Sequence, residues 1–228
     1  MAKSSIGLSE KSSAADSLPP ISLSFYARPT RVVARELIGK VLISKSRGVT
    51  TFGRIVETEA YTGSGDPAAH CYAGKTPRSS VMFGAPGRAY VYFIYGMYEM
   101  LNFVTEPDGT AGAVLIRALE PLGGIAAMKR RRGAARSERD LCNGPGKLCR
   151  AFGIPMSWNK KPLDSRELRV VDDGYRFDHL KSLRVSPRVG ISQGLEHYWR
   201  YFSAESPFVS RVSENRLARA PQLHRGEV

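Results

Sequence analysis

The 228-residue sequence is poor in cysteine and has no long apolar segment. Its three cysteines include no C-x-x-C pair, which argues against a disulfide framework and against a zinc site of common spacing. No apolar run approaches the roughly 20 residues that a membrane-spanning helix needs. The polar N-terminal segment lacks the apolar stretch of a secretory signal, so we expect an intracellular protein without membrane attachment. We predict no metal and no cofactor.

Acidic residues are also in deficit, since 21 Asp and Glu stand against 34 Lys and Arg and give a formal net charge of +13. This excess indicates a polyanionic partner, with nucleic acid first and an acidic membrane surface second. A basic protein that is merely soluble is the alternative. For a nucleic-acid-binding protein we expect the cytoplasm, at the nucleoid, in a prokaryote and the nucleus in a eukaryote.

A hydrophobic content of 42% is enough for a core in one domain or at most two. The sequence has no internal repeat and no second shift in composition. We therefore predict one domain over residues 23–213, with a disordered Ser-rich tail at 1–22 and a loose tail at 214–228. Within the domain, the patterns predict helices at 30–39 and 123–139 and strands at 41–44, 51–61, 113–119 and 168–171.

The segment RIVETEAYTGSGDPAAH, which ends at His70, holds the densest cluster of chemically useful groups. Strand alternation predicts that Ile55, Glu57, Glu59 and Tyr61 share one face. Charged side chains are rarely buried unless they are paired, so this face is either wet or lines a site. A Gly- and Pro-containing turn then returns the chain, and His70 can share a pocket with Tyr61. A surface strand with solvated acids is the alternative.

The aromatic run AYVYFIYGMYEMLNFVT is too long for one strand and indicates a hairpin that turns at Tyr95 and Gly96. Tyr95 and Met97 would then lie at or beside the tip. A large exposed aromatic side chain usually inserts into something, and in a basic protein a wedge between stacked bases is the physical candidate. A buried strand with a bulge at Gly96 is the alternative. Tyr92 and Asn102 flank this turn.

Arg117 lies inside the apolar strand AVLIRAL and needs a carboxylate or a ligand, for which Glu57 and Glu59 are the available acids. The pairing could be structural, or Arg117 and one Glu could hold a water molecule. Cys142 and Cys149 are predicted to be small core residues.

Two basic segments are candidates for phosphate contacts. Lys75, Thr76 and Arg78 cluster in one loop, although such loops are also ordinary surface. The sequence GPGK, which ends at Lys147, is predicted at a helix start, where backbone N–H groups favour a phosphate. It lacks the spacing of a Walker loop. The run KRRR that begins at Lys129 is typical of a solvated face.

These groups suit chemistry on a nucleic-acid base, which requires that the base leave the helix at a cost of a few kcal/mol. Tyr61, His70 and Tyr92 could stack on the extruded base, and Tyr95 could fill the vacated space. Glu59 could then act as general base on a water molecule that attacks the sugar C1′. Arg117 would position both groups.

The motifs RIVETEAYTGSGDPAAH, KTPRSSVMFG, YVYFIYGMYEMLNFV, VLIRALEP and LCNGPGKL, in this order, resemble the 3-methyladenine DNA glycosylases of the alkyladenine-DNA-glycosylase type. The resemblance covers about residues 25–210. It implies one α+β domain, with a curved, mostly antiparallel sheet, flanking helices and a protruding β-hairpin. It further implies a monofunctional base-excision enzyme that acts as a monomer on double-stranded DNA containing damaged purines.

The resemblance also assigns roles. It implies that Glu59 activates water and that Arg117 supports it. Tyr61 and His70 correspond to the residues that hold the flipped base, with Tyr92 on the other side. Asn102 corresponds to the residue that screens purines at the pocket edge, and Tyr95 to the intercalating residue. The sequence departs from the family pattern at Ser79, where Asn is common.

Two other functions are compatible with parts of the sequence. A non-catalytic nucleic-acid-binding protein would use the same charge, but binding alone needs no Glu beside phosphates. An enzyme acting on a small formylated or acylated substrate would rest on fold analogy only, and the basic charge argues against it.

Overall fold

The computed structural model describes residues 17–175 and 177–221. Its strands are β1 (Val41–Ser46), β2 (Val49–Thr62), β3 (Ala89–Ile94), β4 (Tyr98–Val104), β5 (Gly112–Gly123), β6 (Leu168–Val171), β7 (Leu183–Ser186) and β8 (Arg200–Ser203). Its α-helices are α1 (Thr30–Glu36), α2 (Ile125–Arg131), α3 (Pro145–Phe152) and α4 (His179–Ser182). Short 3-10 helices span Leu23–Phe25, Ser79–Phe83, Glu138–Asp140, Met156–Trp158 and Ser213–Leu217.

All eight strands belong to one curled antiparallel sheet in the order β3-β4-β5-β2-β1-β6, with β8 beside β2 and β7 beside β8. The long strand β2 is central because it pairs with β5 along one edge and with β1 and then β8 along the other. Helices α1 and α3 contribute Val33, Ala34, Leu148 and Phe152 to the main core. The prediction of a single α+β domain with a mostly antiparallel sheet is confirmed.

Helix α1 begins at Thr30, the first residue of the predicted helix. Pro29 occupies the capping position, and the carboxylate of Glu106 accepts the backbone N–H of Thr30 at 2.6 Å and its hydroxyl at 2.7 Å. Negative charge at a helix N-terminus is favourable because the first N–H groups have no partner inside the helix. A distant acid therefore fixes this helix against the end of β4.

Strand β2 contains an irregularity that changes which residues share a face. Its pairing with β5 shifts register on both sides of Glu57, as at a β-bulge. Ile55 lies in the main core together with Ala60, whereas Glu57 and Glu59 both contact Arg117. The expectation that Ile55 shares a face with the two acids is therefore wrong. The extra residue moves the acids out of the apolar core and onto the face of Arg117.

The β3–β4 hairpin turns at Tyr95 and Gly96, which confirms the predicted hairpin and excludes a buried bulge. Tyr95 is 80% exposed and Met97 is 61% exposed. Both turn residues are left-handed, with φ of 54° for Tyr95 and 66° for Gly96. Such a conformation costs a non-glycine residue about 1–2 kcal/mol, so a large aromatic is held here against local preference.

Both ends of the described chain are paired with the sheet. The backbone N–H of Ile21 donates to the carbonyl of Val170 at 2.9 Å, and Arg219 pairs with Val185. Residues 1–16 of the predicted N-terminal tail and 222–228 of the predicted C-terminal tail lie outside the described residues. In the described part of the chain, no helix is long and apolar enough to cross a membrane.

The three cysteines, Cys71, Cys142 and Cys149, are all free and buried. Cys142 and Cys149 belong to the main core, as predicted. Among the described residues, no group of three His, Cys, Asp or Glu side chains could hold a metal ion.

Candidate active site

A cavity of about 300 Å³ lies beside the β3–β4 hairpin, between the turn that follows β2 and the segment that follows β7. The structure brings half of the twelve predicted site residues to its walls. These are Tyr61, His70, Tyr92, Asn102 and Arg117, with Tyr95 at the hairpin tip. Val189, which the sequence patterns did not single out, also lines it.

Glu59 is fully buried directly behind this cavity wall. Its Oε1 accepts the backbone N–H of Val189 at 2.8 Å and lies 3.3 Å from Arg117 Nη1. Its Oε2 accepts the hydroxyl of Tyr61 at 2.8 Å. All three partners line the cavity. A carboxylate oxygen accepts about two hydrogen bonds, so Oε2 keeps one position that no donor among the described residues fills.

Arg117 joins Glu59 to the second acid of β2. Its Nε donates to Glu57 Oε1 at 3.1 Å, while its Nη1 faces Glu59. The predicted pairing of Arg117 with these acids is therefore confirmed, and both are used at once. Burial opposes the charge of Arg117, but the carboxylates of Glu59 and Glu57 outweigh it and raise the pKa of the guanidinium.

Glu57 is held from the other side by β8 and the C-terminal segment. Arg200 Nε donates to its Oε1 at 2.6 Å, and the backbone N–H of Ser210 donates to its Oε2 at 2.7 Å. Burial alone would raise the pKa of Glu57, but Arg117, Arg200 and the Ser210 N–H hold it below its ordinary value. Glu57 is thus an ionised acid between two cations, with its partner Arg200 fully buried.

The aromatic walls differ from the predicted arrangement in one respect. The rings of His70 and Tyr92 are in edge contact, with centroids 4.6 Å apart. A base between them would need roughly 7 Å, twice the contact distance of carbon atoms. His70 and Tyr92 therefore form one wall, and the expectation that they hold a base from opposite sides is wrong. Tyr61 also lines the cavity.

His70 is held neutral by its surroundings. Burial, followed by the positive charge of Arg78, lowers the pKa of His70 to about 4. Its Nδ1 lies 3.0 Å from the hydroxyl of Tyr90, a residue that the sequence patterns did not single out. Tyr90 also accepts, through its carbonyl, the side-chain amide of Asn102 at 3.1 Å. Tyr90 therefore holds both His70 and Asn102 in place at the cavity wall.

The predicted DNA-contacting residues of the loop before Ser79 lie outside the cavity lining. Arg78 is exposed and lies over the ring of Tyr92 at 5.1 Å, and Lys75 lies 5.9 Å from the ring of Phe83. Their loop is braced by buried Ser79, whose hydroxyl accepts the N–H of Thr76 at 2.8 Å and donates to Gly74 at 3.1 Å. The residue that departs from the family pattern is thus an internal brace.

Lys147 lies in the first turn of α3, as predicted. Its Nζ donates to Asn143 Oδ1 at 2.8 Å, so it is partly engaged inside the protein. The helix approaches the hairpin closely, because a Cβ on Gly146 would lie 2.8 Å from the ring of Tyr98. Pro145, at the start of the same helix, lines the cavity. The hairpin and the helix start therefore flank one opening.

Comparison with known proteins gives a family for this arrangement. The family model described as "Methylpurine-DNA glycosylase (MPG)" matches residues 24–207. The chain belongs to the methylpurine-DNA glycosylase family.

Relatives in this family align over most of their length. A protein of Prosthecochloris aestuarii is 47% identical over 190 residues, 83% of this chain and 90% of its own. One from Chlorobaculum parvum is 44% identical over 204 residues, 88% of this chain and 96% of its own. One from Methanocella arvoryzae is 44% identical over 197 residues, 85% of this chain and 97% of its own. Each is named "Putative 3-methyladenine DNA glycosylase".

Two further buried residues of this methylpurine-DNA glycosylase family member escaped the sequence patterns. Arg188 and Asp66 form a forked ion pair with distances of 2.6 and 2.7 Å. Asp66 also accepts the backbone N–H groups of Thr62 and Ala68, each at 3.1 Å, and so shapes the turn after β2. The signal that could have found Arg188 is its position in the apolar segment PRVGI. The same signal, an arginine among apolar residues, identified Arg117.

Proposed function

We propose that this protein is a DNA glycosylase that releases alkylated purines, such as 3-methyladenine, from duplex DNA. One observation carries the proposal: Glu59 and Arg117 lie together at the wall of a cavity that aromatic side chains line. Its volume of about 300 Å³ is at the lower end of the range for small-molecule pockets, which suits a single base. Family membership and the names of the relatives support the same substrate class.

The substrate base would reach this cavity only after leaving the duplex. We propose that it swings out and stacks on Tyr61 from one side and on the wall of His70 and Tyr92 from another. Tyr95 would enter the space that the base vacates, as apolar wedges do between base steps. The 80% exposure of Tyr95 and its left-handed backbone at the hairpin tip support this role.

The chemistry would use the open position on Glu59 Oε2. A water molecule donates one proton to this oxygen and is aimed at the sugar C1′, while Arg117 holds the carboxylate in place. As the oxygen of the water bonds to C1′, a proton of this water passes to Glu59. The electron pair of the broken N-glycosidic bond passes to the purine. An alkylated purine already carries positive charge, so it leaves without prior protonation.

We further propose that the enzyme is monofunctional and acts as a monomer. A lyase step would need an amine that attacks C1′ to form a Schiff base. No lysine is among the described residues that line the cavity. The proposed base-binding residues and Arg117 line one cavity within a single copy of the chain, so the site is complete without a second copy.

The test is release of 3-methyladenine or 7-methylguanine from alkylated duplex DNA by the wild type and by Glu59→Gln. We expect release by the wild type and a loss of at least about a hundredfold in the variant. Glu138→Gln, at an exposed ion pair with Lys129, is the matched control and should keep full activity. Equal release by wild type and Glu59→Gln would refute the role of Glu59. Salt-sensitive binding without any release would instead indicate a non-catalytic DNA-binding protein.

A further inference from the structure

A buried cation lies beneath the aromatic wall of the cavity. The guanidinium carbon of Arg188 is 4.6 Å from the ring centroid of Tyr61 and 5.1 Å from that of Trp199. Trp199 in turn stacks on His197 with centroids 4.0 Å apart and planes 3° apart. Arg188 is fully buried and does not line the cavity, whereas Tyr61 does. The ring of Tyr61 therefore separates the guanidinium from the cavity.

The counter-ion of Arg188 is Asp66, which binds the edge of the guanidinium. Asp66 accepts from Nη1 and Nη2 of Arg188, and the carbonyl of Ala60 accepts from Nη1 at 2.9 Å. A forked pair of this kind keeps the carboxylate near the plane of the guanidinium. The guanidinium carbon of Arg188 thus lies over the ring of Tyr61, while Asp66 binds the two terminal nitrogens. The ion pair presents its positive end to the cavity wall.

This arrangement affects cationic and neutral bases differently. An aromatic ring attracts cations because its faces carry negative partial charge. When one face already holds a guanidinium, a second cation on the opposite face meets a less negative ring and the repulsion of a like charge. A neutral base stacks mainly through dispersion and burial of apolar area, so it loses far less.

We propose that Arg188 and Asp66 set the lesion preference of the site by weakening its hold on cationic alkylated purines relative to neutral damaged purines. This inference rests on the proposed function, because it assumes that the damaged base stacks on Tyr61. Arg188 is a specificity-determining residue that acts through Tyr61, and it is not a catalytic residue. Its partner Asp66 moderates the effect, since removing the carboxylate leaves the full positive charge under the ring.

The test compares the affinities for two duplexes, one with a single 7-methylguanine and one with a single hypoxanthine. Dissociation constants are measured in the Glu59→Gln background, so that neither base is released. Adding Arg188→Met together with Asp66→Asn removes both charges. The amide oxygen of the new Asn can still accept a backbone N–H of the turn after β2. We expect this variant to shift the affinity ratio toward 7-methylguanine by roughly threefold or more, the size of one cation–π contact.

Asp66→Asn alone, in the same background, should shift the ratio the opposite way, toward hypoxanthine. Opposite shifts distinguish the proposal from a structural role, because loss of folding weakens binding of both duplexes alike. An unchanged ratio in both variants overturns the inference, even if the wild type releases methylated purines. If lesion duplexes bind no better than undamaged DNA and the wild type releases nothing, the proposed function fails, and the inference fails with it.

Discussion

Two carboxylates of β2 have the same chemistry but different access. Glu57 and Glu59 are both fully buried, and both contact Arg117. The other partners of Glu57 are Arg200 and Ser210, neither of which lines the cavity. Those of Glu59 are Tyr61 and Val189, which both line it. We call the surroundings of Glu57 the sealed side of β2 and those of Glu59 the cavity side.

Burial and pairing alone therefore do not qualify a carboxylate for the proposed role of general base. Glu57 lies between two guanidinium groups that hold its pKa low, so it is a poor proton acceptor and has no route to substrate. Its charge instead completes a neutral set of two acids and two arginines. Glu59 shares one guanidinium and is one side chain away from open space. The sealed side should therefore govern stability and the cavity side activity.

The sharpest test exchanges each acid for its amide. Glu59→Gln should lower the single-turnover rate of base release by about two to four orders of magnitude, because an amide cannot take the proton of the water. Glu57→Gln should have a much smaller effect on this rate in the fraction that remains folded. Equal losses of rate in the two variants would break the distinction between the two sides.

The sealed side should dominate the free energy of unfolding. Glu57→Gln leaves Arg117 and Arg200 buried around one remaining carboxylate, and the loss of a buried partner typically costs about 3–5 kcal/mol. Urea unfolding without DNA measures this loss. The control is Glu36→Gln, whose partner Arg28 is partly exposed and whose removal should cost about 1 kcal/mol or less. A Glu57 variant as stable as the Glu36 variant would contradict the assignment.

On the cavity side, Tyr95 should govern DNA affinity and leave stability unchanged. Tyr95→Ala removes the proposed wedge and should weaken binding of lesion-containing duplex by about 1–3 kcal/mol, the size of one stacking contact. Its side chain is 80% exposed, so the urea midpoint should move little. Tyr175→Ala, at another exposed aromatic side chain, is the control for affinity. A Tyr95 variant that binds normally but unfolds early would reverse the assignment.

The sequence predicted the elements that local patterns determine. Strand β6 has the predicted bounds, the hairpin turns at Tyr95 and Gly96, and Arg117 finds the two acids that its isolation in an apolar strand required. The helix predicted at 123–139 ends at Arg131, where the C-cap Arg132 still donates its N–H to Met128. Gly133 follows at once, and a residue of low helix propensity there favours the end of the helix.

What the sequence could not predict depends on pairing between distant residues. The register shift around Glu57 is set by β5 and β8, so alternation along β2 alone assigned Ile55 to the wrong face. Arg188 reaches Asp66 across 122 positions and Arg200 reaches Glu57 across 143. An arginine among apolar and aromatic residues, as in PRVGI and WRYF, needs a partner if it is buried. Only the tertiary structure identifies which acids are the partners.

The smallest expected effect is a difference in pH dependence between the two sides. The native state keeps His70 neutral because burial and Arg78 lower its pKa from 6.5 to about 4, so below pH 6.5 the unfolded chain binds a proton that the native protein does not. Stability should therefore fall as the pH decreases from about 6.5 to 4. The lowered pKa of Glu57 acts later, since its contribution is lost only as the pH falls below its ordinary value of 4.5.

His70→Asn should reduce the slope of unfolding free energy between pH 6.5 and 4.5 and leave the loss at lower pH, where Glu57 is protonated. The slope should not vanish, because burial followed by Arg35 also lowers the pKa of His179. Urea unfolding of the wild type and the variant at half-unit pH steps measures both windows. An unchanged slope in the variant would mean that His70 can take up a proton in the folded state, and its place on the cavity wall would then no longer keep it neutral.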